Sequence, residues 1–348
     1  MGCGNFKTSY SKDMAIFQTN WIRNWIIGFI VFLIIFPFTA SPYLIYVINI
    51  TAIAVIGALG LNIITGYCGQ ISFGQAAFLA IGAYTSAILS AKVGLSFWMA
   101  MPLSGFITAF AGLLVGIPSL RLKGLYLVMT TLALVFICQF VVINWESMTG
   151  GSKGHSVPLP TIFSYTIRSD LSFYFLIMPI TALAVLFAKN LTRTKPGRAF
   201  VAIRDRYIAA EIIGVNIARF KVMAFFISSF YVGIAGSLYA HYTREISPEH
   251  FPITLSIDYI AMIIIGGMGS ILGSVYGAIF VTMLPEGIRM FSDLFRGSAP
   301  FLTERILELK AIVFGLIIIL FLIFEPDGIN GRWQKIKVYW KKWPYKYR

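Results

Sequence analysis

Charged residues, and acidic ones above all, are scarce in this sequence. Only 12% of its 348 residues are Asp, Glu, Lys or Arg, and only 14 are acidic, whereas soluble domains are typically about one-quarter charged. Hydrophobic residues make up 58% of the chain and recur in long runs along nearly its whole length. No stretch between these runs is long enough for a soluble domain. The composition therefore excludes a soluble globular protein and predicts an all-α polytopic membrane protein.

The groups that enzymes commonly use are also missing. The sequence holds no GxxxxGK[ST] pattern, so the chain cannot hydrolyse ATP by P-loop chemistry on its own. Its three histidines, His155, His241 and His250, fall at or near one predicted surface and are not at metal-ligand spacing. The predicted spans carry no clear ionisable residue in their interiors, which disfavours a proton-coupled carrier. We therefore predict a protein that is not an enzyme, without catalytic residues, metal or cofactor.

Positive charge is more abundant, with 28 Lys and Arg and a net charge of +14. Of these 28 residues, 20 fall on one predicted side of the membrane and 8 on the other. Excess Lys and Arg marks the cytoplasmic side, so the charge requires no nucleic-acid partner. The pattern predicts a cytoplasmic N-terminal segment at 1–24, a transmembrane domain at 25–325 and a basic cytoplasmic tail at 326–348. Aromatic residues interleave with the basic ones in that tail, which predicts contact with lipid head groups.

The apolar runs predict eight full spans plus one re-entrant pair of half-helices, because a span needs about 20 mostly apolar residues. The predicted full spans are Trp25–Ala40, Tyr43–Thr65, Phe73–Ala91, Phe97–Ile117, Gly124–Trp145, Leu171–Ala188, Val222–Tyr242 and Lys310–Phe324. The stretch Ile257–Pro285 is too long for one span and too short for two. Its glycines, in IIIGGMGSILGSVYGAIF, predict two short half-helices that meet at GGMGS and enter and leave on one side.

The most informative stretch is Leu61–Leu89, which reads LNIITGYCGQISFGQAAFLAIGAYTSAIL. Glycine lets a backbone leave helical geometry, and amide or hydroxyl groups at membrane depth need a protein or water partner. A helix broken at GYCGQISFGQ that lines a polar passage satisfies both conditions. Tight helix packing through small residues is the alternative. The residues predicted to line the passage are Gly66, Gly69, Gln70, Ser72, Gly74 and Gln75, followed by Gly266, Gly267 and Gly269.

A long basic loop, Lys189–Lys221, separates two of the predicted spans and contains PGRAFVAIRDRYIAAEIIGVNIARF. A helix that starts near Arg198 would carry Val201, Ile208 and Ile212 on one apolar stripe. Because so short a helix is marginal in water, we expect it to dock on another surface. Either a cytosolic partner or the inner leaflet of the membrane would provide that surface.

Several segments resemble the LivM-type permeases, which are membrane subunits of bacterial branched-chain amino-acid ABC importers. The resemblance runs through GLNIITGYCGQISFGQAAFLAIGAYTSAIL, GLYLVMTTLAL, TGGSKG, the basic-loop segment above, AGSLYAHYTREISPEHF, SIDYIAMIIIGGMGSILGSVYGAIF and LFLIFEPDGINGRW. These motifs occur in order over nearly the whole chain. The resemblance implies a bacterial inner-membrane protein that works with two ATP-binding subunits, a second, LivH-type permease and a periplasmic substrate-binding protein.

In ABC importers a cytoplasmic helix marked E-A-A-x-x-x-G docks on the ATPase, and the basic loop resembles it in part. Ala209, Ala210 and Gly214 match that spacing, whereas Ile208 stands where the glutamate would be and Glu211 is out of register. The resemblance favours docking on an ATPase over docking on the leaflet. The residues expected to transmit ATPase closure are Arg204, Asp205, Ala209, Ala210, Glu211 and Gly214.

The expected function is therefore inward passage of branched-chain amino acids through an ATP-driven importer, with ATP hydrolysis on a separate chain. The same machinery for urea, short amides or other amino acids is one alternative. A stand-alone carrier or channel is an alternative of a different class.

Overall fold

The computed structural model describes residues 20–122, 124–162, 165–294, 306–325 and 327–342. The predicted segment 1–24 lies outside the described residues as far as residue 19, and the predicted tail does so beyond residue 342.

The described residues form an all-α protein, as predicted. Their α-helices are α1 (Asn20–Thr39), α2 (Pro42–Leu61), α3 (Gln75–Ala91), α4 (Phe97–Ser119), α5 (Leu125–Asn144), α6 (Glu146–Thr149), α7 (Asp170–Arg193), α8 (Lys195–Ile212), α9 (Ile217–Thr243), α10 (Ile253–Gly266), α11 (Ile271–Leu294), α12 (Ile306–Phe324) and α13 (Gly328–Lys342). Within the described ranges, seven helical stretches are long and apolar enough to cross a membrane. The predicted polytopic class is therefore confirmed.

Side-chain caps explain where several of these helices begin. Ser41 precedes Pro42 and accepts a hydrogen bond from the backbone N–H of Leu44 at 3.4 Å, which caps α2. Asn216 accepts from the N–H of Arg219 at 3.0 Å at the start of α9. Such residues satisfy N–H groups that have no partner within the helix, and proline suits the first helical position.

Two short strand pairs lie outside the helices. The strands are β1 (His155–Ser156), β2 (Thr161–Ile162), β3 (Tyr165–Thr166) and β4 (Glu245–Ile246). β1 pairs antiparallel with β4, and β2 pairs antiparallel with β3. The β1–β4 pair joins the two polar connections 145–169 and 243–252 at one end of the helical bundle. We call this the polar-loop end, and we call the opposite end, which carries α8 and α13, the basic end.

Helix α2 extends between the two ends of the bundle. Near its start, Asn49 donates through Nδ2 to the carbonyl oxygen of Asp170 at 3.0 Å, and the hydroxyl of Tyr242 donates to Asp170 Oδ1 at 2.9 Å. These bonds join α2, α7 and α9 at the polar-loop end. Beyond the end of α2, Arg204 of α8 donates through Nη1 to the carbonyl oxygen of Gly66 at 2.7 Å. The chain around α2 therefore contacts both surfaces of the molecule.

Helix α9 packs closely against the helices around it through small residues. A Cβ at Gly82 of α3 would lie 2.5 Å from the carbonyl oxygen of Gly233 in α9. Ser86 of α3 and Ser237 of α9 share a hydrogen bond of 2.7 Å in the same interface. Glycine and serine at such positions let two backbones approach, as in other membrane bundles.

The second glycine-rich region requires a correction to the predicted half-helix pair. Helices α10 and α11 do meet at the predicted GGMGS turn, but α11 has 24 residues and is no half-helix. It lies along α2: Thr51 and Thr282 share a 2.8 Å hydrogen bond, and Tyr43 donates to Glu286 near the far end.

The prediction of half-helices was wrong for α11 because most glycines in this region bring α10 and α11 into contact, and only some of them form the turn. A Cβ at Gly277 would overlap the carbonyl oxygen of Met262 in α10, and a Cβ at Gly266 would overlap that of Gly273 in α11. Glycine content alone cannot separate close packing from an interruption.

Candidate translocation path and coupling surface

The run after α2 is interrupted, as predicted. α2 passes into a π-helical segment, Asn62–Tyr67, and regular helix resumes only at Gln75. The turn is closed by the N–H of Gln70, which donates to the carbonyl oxygen of Ile64 at 3.0 Å. Gly69 has a φ of 71°, in the left-handed region that favours glycine. π-helical turns within α-helices occur frequently at functional sites.

Neighbouring helices provide hydrogen-bond acceptors for the polar groups at the interruption. Gln75 donates through Nε2 to the carbonyl oxygen of Gly57 at 2.8 Å. The N–H of Ala76 donates to Ser256 Oγ at 3.0 Å, and the N–H of Phe73 donates to Thr131 Oγ1 at 3.0 Å. These bonds hold the start of α3 and the residues before it against α2, α10 and α5. Such partners are what non-helical backbone needs at membrane depth.

An open cavity of about 1070 Å³ lies at the basic end, between the interruption, the α10–α11 turn, α8 and α13. Gly66 and Gly69 line it from the interruption, and Gly267 and Gly269 line it from the turn. Arg204 adds a positive charge to the wall. Backbone and charged groups thus surround a space that can hold a small polar solute.

A second cavity, of about 590 Å³, lies toward the polar-loop end. It is bordered by α2, α10 and α11, which also extend to the first cavity. Its lining is mostly apolar and includes Ile50 and Ala54 of α2, Met262 of α10 and Val281 of α11. Tyr259 lies at its border, where its ring packs on Gly57: a Cβ there would lie 2.6 Å from the ring carbon Cε1. The two cavities therefore lie toward opposite ends of α2, α10 and α11. The packed contact between Tyr259 of α10 and Gly57 of α2 is formed by the same helices.

The predicted path residues divide into two groups. The cavity at the basic end is lined by Gly66, Gly69, Gly267 and Gly269. The remaining five are buried against neighbouring segments instead: Gln70, Ser72, Gly74, Gln75 and Gly266. Contacts within the helix bundle are enough to explain why these five residues are glycine or polar. One such contact is the hydrogen bond from Gln75 to Gly57.

The predicted coupling residues Arg204 and Asp205 are close together on α8. Arg204 donates through Nε to Asp205 Oδ1 at 3.0 Å and through Nη1 to the carbonyl oxygen of Gly66. The side chain of Arg204 also lies against Gly69 and against Gly269. One side chain of α8 therefore contacts both glycine-rich regions.

The later predicted coupling residues follow a kink in α8. Arg206 has non-helical angles, φ −153° and ψ 93°, which divide the helix into two pieces. Before the kink, Phe200 is buried in the core, so the first piece is anchored. After it, Ile208, Ile212 and Ile213 are exposed, at 59%, 81% and 75%.

The residues around these isoleucines complete an exposed surface at the basic end. Ala209 and Glu211 are exposed, whereas Ala210 is buried and holds the second piece of α8 to the bundle. Gly214 ends this surface with a φ of 87° and no atom within 4 Å of a Cβ built there. The predicted single stripe is corrected by the kink: Val201 is half-buried before it, and the isoleucines lie after it.

Asn62 is absent from the predicted path residues, yet it lies between the two glycine-rich regions. It is fully buried; its Nδ2 donates to the carbonyl oxygen of Ser270, and its Oδ1 accepts from the N–H of Gly269. An amide directly after a 20-residue apolar helix was the available sequence signal.

Helix α13 also has a place that its composition does not predict. A Cβ at Gly328 would lie 2.4 Å from the backbone nitrogen of Gly267, so the start of α13 packs on the α10–α11 turn. Lys335 forms ion pairs with Asp327 at 3.1 Å and Glu325 at 3.3 Å, and these carboxylates raise the pKa of Lys335. The predicted lipid-facing tail thus forms one wall of the cavity over its described part.

No group of three or more His, Cys, Asp or Glu side chains that could hold a metal ion occurs within the described ranges. The arrangement offers passage and mechanical connection between helices, and the described residues present no set of groups for covalent chemistry.

Comparisons with known proteins identify the family of this chain. The family model described as "Branched-chain amino acid transport system / permease component" matches residues 43–322. The high-affinity branched-chain amino acid transport system permease protein LivM of Escherichia coli is 32% identical over 328 residues, which cover 87% of this chain and 74% of that protein. No solved structure matches the chain.

Two further relatives have other names. The LivH permease protein of the same Escherichia coli system is 24% identical over 303 residues, 81% of this chain and 92% of that protein. The autoinducer 2 import system permease protein LsrC of Enterobacter is 28% identical over 202 residues, 56% of each chain. With the family model covering most of its length and an interrupted helix beside a cavity, this chain belongs to the family of branched-chain amino acid transport system permease components.

Proposed function

We propose that this permease passes branched-chain amino acids inward across the bacterial inner membrane, driven by ATP that separate subunits hydrolyse. The observation that carries the proposal is the bond from Arg204 to the carbonyl oxygen of Gly66. It joins α8, whose second piece is exposed, to an interrupted helix that borders a cavity. A partner that moves α8 can therefore act directly on the wall of that cavity.

The proposed assembly contains two ATP-binding subunits, a second permease of the LivH type and a periplasmic substrate-binding protein. The similarity to both LivM and LivH supports two related permeases in one complex. The excess of basic residues supports a cytoplasmic position for the basic end and for both termini. The polar-loop end then faces the binding protein.

The exposed isoleucines after Arg206 are the proposed seat of an ATPase. Ile208, Ile212 and Ile213 together form an apolar patch on an otherwise basic loop. Burial of such side chains in a partner stabilises a complex by roughly 1.5–3 kcal/mol each. Arg204, Asp205, Ala209, Ala210, Glu211 and Gly214 are the proposed coupling residues.

The proposed path follows α2, α10 and α11 from the apolar cavity to the cavity at the basic end. Separation of Tyr259 from Gly57 would connect the two cavities, and their close packing keeps a resting transporter from leaking. Gly66, Gly69, Gly267 and Gly269 border the exit. Gln70, Ser72, Gly74, Gln75 and Gly266 hold the surrounding turns in place.

The apolar lining of the first cavity suits an aliphatic side chain. A different small polar cargo is the second candidate, because LsrC, a relative of similar sequence, is named for import of autoinducer 2. Urea, short amides and other amino acids belong to this second group.

Reconstitution tests the proposal. The chain is assembled in liposomes with the permease, ATPase and binding protein encoded beside it, and uptake of labelled leucine, isoleucine and valine is measured. We expect uptake that requires ATP and the binding protein, with no flux through this chain alone. Flux through the chain alone would instead identify a stand-alone carrier or channel. ATP-driven uptake of urea or an amide, but not of the three amino acids, would replace the cargo.

A further inference from the structure

We infer that Asn62 is a positioning residue that joins the two glycine-rich regions, so that movement of α8 opens both together. The inference rests on the proposed function, because it concerns how ATPase movement reaches the path. Asn62 touches no solute in this role; it acts through the backbone of the α10–α11 turn.

Both side-chain hydrogen bonds of Asn62 lead to that turn. Its Nδ2 donates to the carbonyl oxygen of Ser270 at 2.8 Å, and its Oδ1 accepts from the N–H of Gly269 at 2.9 Å. A primary amide that both donates and accepts can pair with two backbone groups at once. The start of the interruption is therefore bound to the turn at two points.

The burial of Asn62 gives these bonds their importance. The side chain is fully buried, and a polar group in such a place is costly unless it is hydrogen-bonded. Both of its polar atoms have partners. The bonds will therefore persist while the turn and the interruption move, because separation would leave an amide and two backbone groups unpaired.

Gly66 completes the junction from the other side. A Cβ at Gly66 would overlap Asn62 Oδ1 and would lie 2.5 Å from the N–H nitrogen of Gly269. Only glycine at this position leaves room for the amide to reach the turn. The carbonyl oxygen of the same Gly66 accepts the bond from Arg204.

The contacts thus form a short chain of connections. α8 holds Gly66 through Arg204, Gly66 packs on Asn62, and Asn62 holds Gly269 and Ser270. Arg204 itself meets the turn by packing against Gly269. We expect the π-helical segment to follow α8 without Asn62, while the turn follows less.

Asn49 supplies a control amide of equal burial, although its Oδ1, unlike that of Asn62, has no hydrogen-bond partner. It lies in the first half of α2, the helix that leads into the π-helical segment beginning at Asn62. It is also fully buried, and it donates through Nδ2 to the carbonyl oxygen of Asp170 and to the hydroxyl of Tyr242. Its bonds join helices at the polar-loop end, away from α8. Asn49→Leu and Asn62→Leu therefore remove equally buried amides, of which only one is at the proposed junction.

The test measures substrate uptake and ATP hydrolysis in the complete reconstituted complex. For Asn62→Leu we expect uptake per ATP hydrolysed to fall by about tenfold, in the range of coupling between sites. Asn49→Leu should keep the wild-type ratio of uptake to ATP hydrolysed, even if its melting temperature falls as far as that of Asn62→Leu. Asn62→Ala also removes both side-chain hydrogen bonds and is smaller than leucine, so its ratio should fall as far as that of Asn62→Leu.

Three outcomes overturn the inference. The first is an unchanged ratio in Asn62→Leu, and the second is an equal fall in Asn49→Leu. The third is an unchanged ratio in Asn62→Ala where Asn62→Leu does not assemble. The wild-type complex separates this result from the proposed function. If wild type shows no ATP-driven uptake the proposed function fails, whereas normal wild-type uptake with an unchanged ratio in the variants removes only the role of Asn62.

Discussion

The two glycine-rich regions of this molecule have similar compositions and different structures. After α2, the backbone leaves regular helix between Leu61 and Gln75, and side-chain amides and hydroxyls bond to the freed groups. In the second region the backbone departs only in the short turn between α10 and α11, where Gly267 and Gly269 have positive φ. The other glycines there bring the two helices into contact. Glycine marks an interruption where polar side chains accompany it, and a packing face where apolar ones do.

The largest expected effect concerns the proposed docking of an ATPase on α8, which contacts the first region. We predict that Gly214→Trp leaves membrane insertion intact and abolishes ATP-driven uptake in the reconstituted complex, because a large side chain would stand in the proposed ATPase seat. Both this site and Gly94, at the other end of the molecule, have positive φ and open surroundings. Gly94→Trp is therefore the control for backbone strain, which is of order 1–3 kcal/mol at each site. Normal uptake by Gly214→Trp would remove the docking assignment.

The next effect tests whether the first region is the one held by α8. In Arg204→Gln the charged donor to the carbonyl oxygen of Gly66 is lost, and such a bond is worth about 1.5–3 kcal/mol. We expect uptake per ATP to fall by roughly tenfold, which corresponds to about 1.4 kcal/mol. Arg219→Gln, exposed at the same end, should leave the ratio at its wild-type value. Equal ratios for the two variants would contradict the connection through Arg204.

A stability measurement distinguishes the packing face of the second region. Gly277→Ala would force a methyl group into the carbonyl oxygen of Met262, so we expect the protein to lose about 1–3 kcal/mol, the usual cost of overpacking. Gly287, on the same helix, has no atom within 4 Å of its Cβ position. Gly287→Ala should be neutral or stabilise by up to about 1 kcal/mol, since alanine favours helix. Thermal unfolding of the two variants in detergent provides the comparison, and equal melting temperatures would argue against close packing.

The smallest effect involves α13, which packs on the turn of the second region. Asp327 and Glu325 raise the pKa of Lys335 above its ordinary value of 10.5. The charged form is favoured in the folded protein, so this contribution to stability is present below pH 10.5 and is lost as pH rises through the raised pKa. We expect Lys335→Met to remove that dependence above pH 10.5. Hydrogen exchange of α13 in this range measures it, and identical pH profiles would show that the ion pairs do not hold the helix.

Much of the fold could be predicted because lipid imposes simple rules on sequence. Long apolar runs indicated the helices, and the polar residues between Gly66 and Gln75 indicated where one helix breaks. The position of α8 followed from the basic loop that contains it. These features depend on local composition and on the cost of exposing polar groups to lipid.

Other features depend on contacts between distant residues and could not be predicted in this way. The kink at Arg206 contains neither glycine nor proline, so no local signal marked it. The length of α11 depends on packing against α2 through Thr282. The role of Asn62 depends on Gly269 and Ser270, more than 200 positions away in sequence. One amide in an apolar run has many compatible partners, and only the fold selects among them.

If α8 docks on an ATPase as proposed, the kink at Arg206 also separates the docking residues from those that contact the cavity wall. Residues before it stay fixed by Phe200 in the core and retain the grip of Arg204, while those after it form a separate small platform. We expect exchanges confined to Ile208, Ile212 and Ile213 to change which motor binds without loosening the lever behind them. We therefore expect that the residues on the two sides of the kink can be engineered separately.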